Sequence, residues 1–239
     1  MDSLWFEIKI MNFDTRNWKP PEGMSPDQIN QFPVDARGAD WRNKDIGNLD
    51  LREANLCRAD LRGTNLTACQ MENVDMRLAK YDSQTQLPDG FNIRTSGAIG
   101  PGAQLNGAFL NNADLRGIDL RAGSLMGAYL SGADLSGAIL DNISLAGADL
   151  RYSILRGAMC RGTRFGTSEL NMADLRGADL TEANLETIES IKGSDFSMCK
   201  GMAPHIQRFL ERPALELDHW NPLTRSTTRS SLESLLLDT

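Results

Sequence analysis

The stretch ADLSGAILDNISLAGADL, residues 133–150, decides how this chain folds. Leu135, Leu140, Leu145 and Leu150 return at every fifth position, and Ala133, Ala138, Ile143 and Ala148 sit two places ahead of them. An α-helix repeats near 3.6 residues and a strand near 2.0, so neither buries this pattern on one continuous face. The chain has to turn at every step.

The beat extends far beyond this stretch. With the large apolar position taken as the centre, a first block has ten centres, from Ala36 and Trp41 to Met76 and Tyr81. A second block has seventeen, from Leu105 to Leu185, of which fifteen are Leu and the others Cys160 and Phe165. Two places before the centre the residue is small (Ala103, Ala108, Gly123, Ser153, Thr163), and directly before it Asp or Asn is frequent (Asp114, Asp134, Asp149, Asn184). Two places after it Gly recurs (Gly107, Gly117, Gly137, Gly157). Alternation places the small residue and the centre inward and the polar residue between them outward, and Gly with Asp or Asn eases a tight turn. Each unit is a short extended piece followed by a corner. One unit cannot bury its own Leu, but stacked coils can, each pairing its backbone with the next.

Composition narrows the function. The 239 residues are 41% hydrophobic and only 6% aromatic, so the core is built of small aliphatic groups. A net charge of −7 argues against a general nucleic-acid binder, which needs basic surface to displace counterions. The cysteines Cys57, Cys69, Cys160 and Cys199 form no CxxC and have no neighbouring His, so metal-ligand and redox motifs are absent. Cys69 and Cys160 fall on inward positions, where Cys acts as a small hydrophobe. The opening MDSLWFEIKIMNF lacks the basic-then-apolar plan of a secretory signal, and no window reaches the ~18 apolar residues of a membrane span. A soluble, cytoplasmic protein is expected.

The runs ADLRGADLTEANL (173–185) and ANLCRADLRGTNL (54–66) resemble the pentapeptide-repeat family, whose pattern is A(D/N)LXX. The likeness covers residues 34–81 and 103–185. It implies an all-β fold, a right-handed quadrilateral β-solenoid with four repeats per coil and short helical caps at the termini. The segment TQLPDGF (85–91) is similar to TQ-x-P-x-GF segments of cyanobacterial-type members. The pattern is interrupted twice. The 24 positions from Tyr81 to Leu105 are not a multiple of five, so the Gly- and Pro-rich 82–102 is expected to leave the coil as a loop. After Leu185 the next centres, Ile191 and Phe196, are one residue out of register, which predicts a bulge within a second block running to 200. Lys44 falls on an inward slot of the first block.

Solenoid ends expose unpaired strand edges and need covers. Residues 1–33 are read as an N-terminal cap, a short strand followed by a helix with Ser25 and Gln28 as its capping box and Pro26 at the first helical position. In the C-terminal tail, 201–239, APHIQRFLERP predicts a helix from about Pro204. SSLESLLL predicts another begun by Ser230 with Glu233, its Leu232, Leu235 and Leu236 on one side. That helix either caps the last coil or docks a partner, including a second copy of the chain.

No catalytic, cofactor-binding or metal-binding residues emerge. The two histidines, His205 and His219, lie in the tail; Asp218 beside His219 suggests a base and its orienter, but no nucleophile accompanies them. The outward Asp residues stand beside Arg116, Arg121, Arg151, Arg156, Arg161 and Arg176, the pattern of a solvated ion-pair lattice. The function expected is therefore a non-enzymatic scaffold for a protein partner. Its candidate faces are where the position before the centre turns apolar: Phe109 above Tyr129, twenty residues apart, and Ile139 above Met159 with Ile154 on the adjoining face. The alternative comes from the family resemblance: some pentapeptide-repeat proteins mimic acidic DNA and bind gyrase, a type II topoisomerase. Residues 34–200 hold 22 acidic and 18 basic residues, a weak excess for such a mimic.

Overall fold

The computed structural model describes residues 33–237, which fall in two compact units that divide between Asn92 and Ile93. The expected N-terminal cap, with Ser25 and Gln28, lies almost wholly outside the described residues.

Both units are β-solenoids. Each five-residue step contributes one bridged residue, the one before the centre, to a parallel ladder whose partner lies 20 residues on: Asp35 with Asn55 and Asp60 with Lys80 in the first unit, Asp134 with Ile154 and Ile139 with Met159 in the second. Twenty residues per coil and five per step give four steps to the coil. The backbone is satisfied in a fixed cycle. The Leu135 amide donates forward to the Ile154 carbonyl (2.7 Å), the Asp134 amide donates back to Ala113 (3.0 Å), and the Ala138 amide closes the corner on Leu135 (3.0 Å).

The corner explains the glycines. Its second central residue has positive φ, as in Gly117 (61°) and Gly137 (64°), the mark of a type II turn. Non-glycine residues hold the same conformation at other corners, among them Asn112 (55°), Ala122 (59°) and Tyr152 (58°).

The centres fill the interior: Leu135, Leu140, Leu145 and Leu150 have no solvent exposure, nor do Ala133 and Ala138 between them. Several polar residues in the small inward slot are tolerated because they find the same acceptor. Thr64 Oγ1 donates to the Trp41 carbonyl (2.7 Å), Thr163 Oγ1 to Leu140 (2.6 Å) and Ser194 Oγ to Leu170 (2.6 Å), in each case a centre of the preceding coil. Ser153 Oγ donates instead to the Leu150 carbonyl of its own coil (2.7 Å), and Ser168 Oγ is buried with no partner among the described residues. Lys44 solves the same problem outward, its Nζ donating to the Asp40 carbonyl at 2.7 Å.

The two interruptions behave differently from one another. The bridge of Asn65 with Gln86, 21 residues apart, carries the first solenoid into the stretch expected to form a loop. Asp82 absorbs the extra residue, its Oδ1 accepting the Gly63 amide at 2.9 Å, while Thr85 Oγ1 donates to the Leu61 carbonyl (2.9 Å) as an inward Thr does elsewhere. A short 3₁₀ turn, Ile93–Thr95, follows, and the inward rhythm resumes at Ala98, ahead of the expected Ala103, with Ile99 at the bridged position also buried. Near the other end the offset is again 21, in Glu169 with Ser190, Asp174 with Asp195 and Asp179 with Lys200, and Ile191 and Phe196 are fully buried.

Beyond the last coil lie helix α1 (Ala203–Leu210), a single-turn helix α2 (Ala214–Leu217), the two-residue strands β1 (Trp220–Asn221) and β2 (Ser226–Thr227), paired antiparallel, and helix α3 (Thr228–Leu237). Helix α3 starts two residues before the expected Ser230. Its box is Thr227 with Ser230: the Ser230 amide donates to Thr227 Oγ1 (3.1 Å) and the Thr227 amide to Ser230 Oγ (3.0 Å).

Candidate interaction faces

Where the residue before the centre is Asp, it is bound to its own corner. Asp114 Oδ1 accepts the Arg116 amide and the Arg116 Nε (2.8 Å), while Oδ2 takes the second fork nitrogen (3.0 Å). The D-x-R arrangement recurs as Asp119–Arg121, Asp149–Arg151 and Asp174–Arg176, and in the first unit as Asp40–Arg42, Asp60–Arg62 and Asp75–Arg77. An Asp that holds its own turn and forks one guanidinium is the cause of the lattice. Hydrogen bonds from Arg42 hold the Asp40 carboxyl down at about 2, and those from Arg77 drive Asp75 lower still.

Every position before a centre in the first unit is polar, from Asp35 to Lys80. The apolar exceptions fall in the second unit. Phe109 and Tyr129 are bridged neighbours whose rings stack with centroids 4.8 Å apart and planes within 7°, and they are 75% and 45% exposed. Met126 and Tyr152, also exposed, are corner residues, outside the positions before a centre that the sequence pattern singles out. Ile139 and Met159 are likewise bridged; Met159 is exposed, Ile139 and Ile154 half-buried.

Where Ile154 and Met159 replace the acid, the arginine two places on has no carboxylate on its own step and reaches to a neighbouring coil. Arg156 binds Asp174, one coil forward, and Arg161 binds Asp141, one coil back, while also lying 3.7 Å from Met159 Sδ. The apolar residues are thus framed by ion pairs that join coils.

The tail corrects one expectation. Leu232 and Leu235 are buried against the solenoid end, so only Leu236, half exposed, is presented for docking. Neither Leu232 nor Leu235 is free to bind a partner while α3 is seated. The base-and-orienter reading also fails on geometry, because Asp218 pairs with Arg229 (2.6 Å). His205 contacts Arg208, and burial lowers its pKa. All four cysteines are free, and among the described residues no cluster of His, Cys, Asp and Glu is arranged to hold a metal. No helix among them is long and apolar enough to cross a membrane.

The profile for pentapeptide repeats matches the chain in eight copies, over residues 45–77, 102–137, 128–166 and 160–186. Among solved structures, a pentapeptide repeat protein from the Arabidopsis thaliana thylakoid lumen shares 27% identity over 56% of this chain and 89% of its own, with a TM-score of 0.51. HetL from the cyanobacterium Nostoc, involved in heterocyst differentiation regulation, shares 24% over 70% of this chain and 82% of its own, with a TM-score of 0.24. QnrB1, a plasmid-mediated fluoroquinolone resistance protein, shares 18% over 77% and 93%, with a TM-score of 0.30. A search of curated proteins gave no match. The chain belongs to the pentapeptide-repeat family.

Proposed function

We propose that this protein is a non-enzymatic scaffold, a right-handed solenoid of four flat faces, that binds a protein partner through the lateral faces of its second unit. The observation that carries this reading is the confinement of apolar residues at the outward position. None occurs in the first unit, yet five (Phe109, Tyr129, Ile139, Ile154 and Met159) occur within fifty-one residues of the second. An outward side chain adds nothing to the solenoid interior, and clustered exposed apolar groups mark interaction sites. Four free cysteines accord with a reducing, cytoplasmic setting.

Mimicry of DNA toward gyrase is the weaker reading. A mimic needs unneutralised acidic columns, whereas Asp114, Asp119, Asp149 and Asp174 each hold an arginine fork. A gyrase supercoiling assay is expected to show neither inhibition nor protection against quinolone.

The direct test replaces Ile139 and Met159 with Asp in the full chain. Both lie outside the interior, so the fold is retained, and a partner held by the wild-type protein in a pull-down is lost. Unchanged retention removes this face from consideration, and the same exchange at Phe109 and Tyr129 tests the other.

A further inference from the structure

Residues 103–113 and 122–133 hold no charged residue, although Asp–Arg forks recur on the steps around them and in the first unit. The two stretches lie one coil apart, bridged at Gln104 with Ser124 and at Phe109 with Tyr129, and make two adjoining faces of the second unit. Neutral hydrogen bonds replace the ion pairs there. Asn106 Oδ1 accepts the Ser124 hydroxyl (2.6 Å) and the Met126 amide (3.0 Å), which ties the coils without a charge. Phe109, Met126 and Tyr129 are the exposed large side chains of this area.

The exchange of Asp for an aromatic residue also frees a backbone donor. Asn111, Ser131 and Arg151 stand in one column, the Asn112 amide donating to Ser131 and the Gly132 amide to Arg151. At the third of them Asp149 Oδ1 takes the Arg151 amide (3.1 Å). Phe109 and Tyr129 have no carboxylate to offer, and the Asn111 and Ser131 amides have no acceptor among the described residues. Asn111 is exposed and Ser131 partly so. Two donors on successive coils therefore flank the stacked rings, where carbonyl oxygens of a partner would satisfy them as the rings are covered. A charged group buried at the same place would lose its hydration without a counter-charge. Arg151 supplies none, because Asp149 forks it and Glu169 lies 3.6 Å away.

We propose that these two faces bind an uncharged peptide segment of the partner protein. Its apolar or aromatic side chains lie on Phe109, Met126 and Tyr129, and its carbonyl oxygens accept from the Asn111 and Ser131 amides. This rests on reading the side of the second unit as a protein-binding surface, and adds the chemistry of what that surface admits. Antigen-binding loops use a similar set, rigid aromatic rings for contact area with Asn, Ser and Gly beside them for adaptable hydrogen bonds. The ion pairs that frame Ile139 and Met159 have no counterpart here, so the two patches differ in what they accept.

The test selects random peptides displayed on phage against the full chain, with counter-selection on a Phe109→Ser, Tyr129→Ser double variant. Both positions lie outside the interior, and amide protection at Leu130 and Leu150 checks that the variant is folded. Enriched peptides should be apolar and aromatic, without Asp, Glu, Lys or Arg, and should bind the double variant roughly tenfold more weakly or worse. Their affinity for the wild type should change by less than about twofold between low and high salt, since no ion pair is screened. Hydrogen exchange at the Asn111 and Ser131 amides should be fast in the free chain and slow in the complex. The salt series and the exchange measurement need no variant. Charged peptides, or binding that salt abolishes, overturn the neutral assignment while leaving the face a binding surface. Binding undiminished in the double variant, or no enrichment over it, overturns both. Tight binding that leaves the two amides exchanging fast overturns the proposed contacts. Protection of those amides that rises with protein concentration without peptide gives the place to a second copy, and overturns the proposal as well.

Discussion

Arg156 crosses from one coil to the next to bind Asp174, whose side chain is only 3% exposed. The same carboxylate forks Arg176 on its own step, so one acid ties two arginines. Burial pushes its pKa up, but the hydrogen bonds from Arg176 and then Arg156 outweigh that effect and leave it below the ordinary value. Asp174→Asn should lower stability by roughly 1.5–3 kcal/mol, the range for a hydrogen bond to a charged group. Asp114→Asn, whose side chain is 55% exposed, should cost under about 1 kcal/mol. Urea midpoints compared at equal slope distinguish the two.

The same shift sets a pH response. A carboxyl with a folded pKa below its unfolded one contributes its full stability above the unfolded value and loses it as pH falls through the folded value. Asp40 at about 2, with Asp75 and Asp174 also lowered, places the loss on the acid side, between roughly pH 4 and 2. Thermal midpoints should be flat from pH 5 to 7 on this account and drop below 4. Asp174→Asn should flatten part of that drop; an unchanged acid limb in the variant would remove Asp174 from the explanation.

The five-residue beat was legible because Leu at the centre and Ala two places earlier dominate an interior that takes a larger side chain, such as Trp41 or Phe165, at only a few centres. Four steps per coil was not readable from periodicity, since stacking between distant residues decides where a coil closes. The shift at Ile191 showed in the sequence, but not its repair, which depends on Arg208 and Arg212 reaching carbonyls more than twenty residues away. At 82–102 the Gly and Pro content suggested a loop, whereas Asp82 lets a coil absorb an extra residue through one side-chain acceptor. The start of α3 was misread because Thr227 with Ser230 and Ser230 with Glu233 are both plausible boxes. Thr228 settles the choice: it must reach the Ile191 carbonyl, which seats the helix two residues earlier. Local spacing cannot report such a contact.

The corners predict a pair of opposite mutational effects. Gly117 and Ala122 hold the same left-handed conformation, at φ 61° and 59°. A Cβ at Gly117 would meet nothing within 4 Å, so Gly117→Ala carries the conformational cost alone, about 1–2 kcal/mol. Ala122→Gly relieves that cost, and should stabilise by somewhat less because the unfolded chain gains freedom. Denaturation midpoints moving in opposite directions are expected; equal signs would contradict the corner geometry.

The cysteines should separate by reactivity. Burial pushes the Cys69 thiol up to about 11 and Cys199 to about 12, and raises Cys160 further, with no solvent exposure at its position. Cys57, partly exposed, is raised by burial and then by its hydrogen bond with Asp75. Since the thiolate is the reactive form, a thiol reagent at pH 8 should label the native protein slowly and at Cys57 first. The other three should react only on unfolding. Peptide mapping after timed labelling checks the order, and early modification of Cys160 would mean that the second solenoid opens at its middle.

The Phe109–Tyr129 stack joins consecutive coils on a surface that faces solvent. Cross-strand aromatic pairs couple by roughly 0.2–1 kcal/mol. A double-mutant cycle with Phe109→Ala and Tyr129→Ala should give a coupling within that range, far below the 2–5 kcal/mol expected for a buried centre such as Leu135→Ala. If the pair exists for binding, the double variant will lose partner retention completely while its melting temperature falls by only a few degrees, because the interior columns remain intact. A large loss of stability with retention unchanged would reverse that assignment and make the stack a clamp between coils.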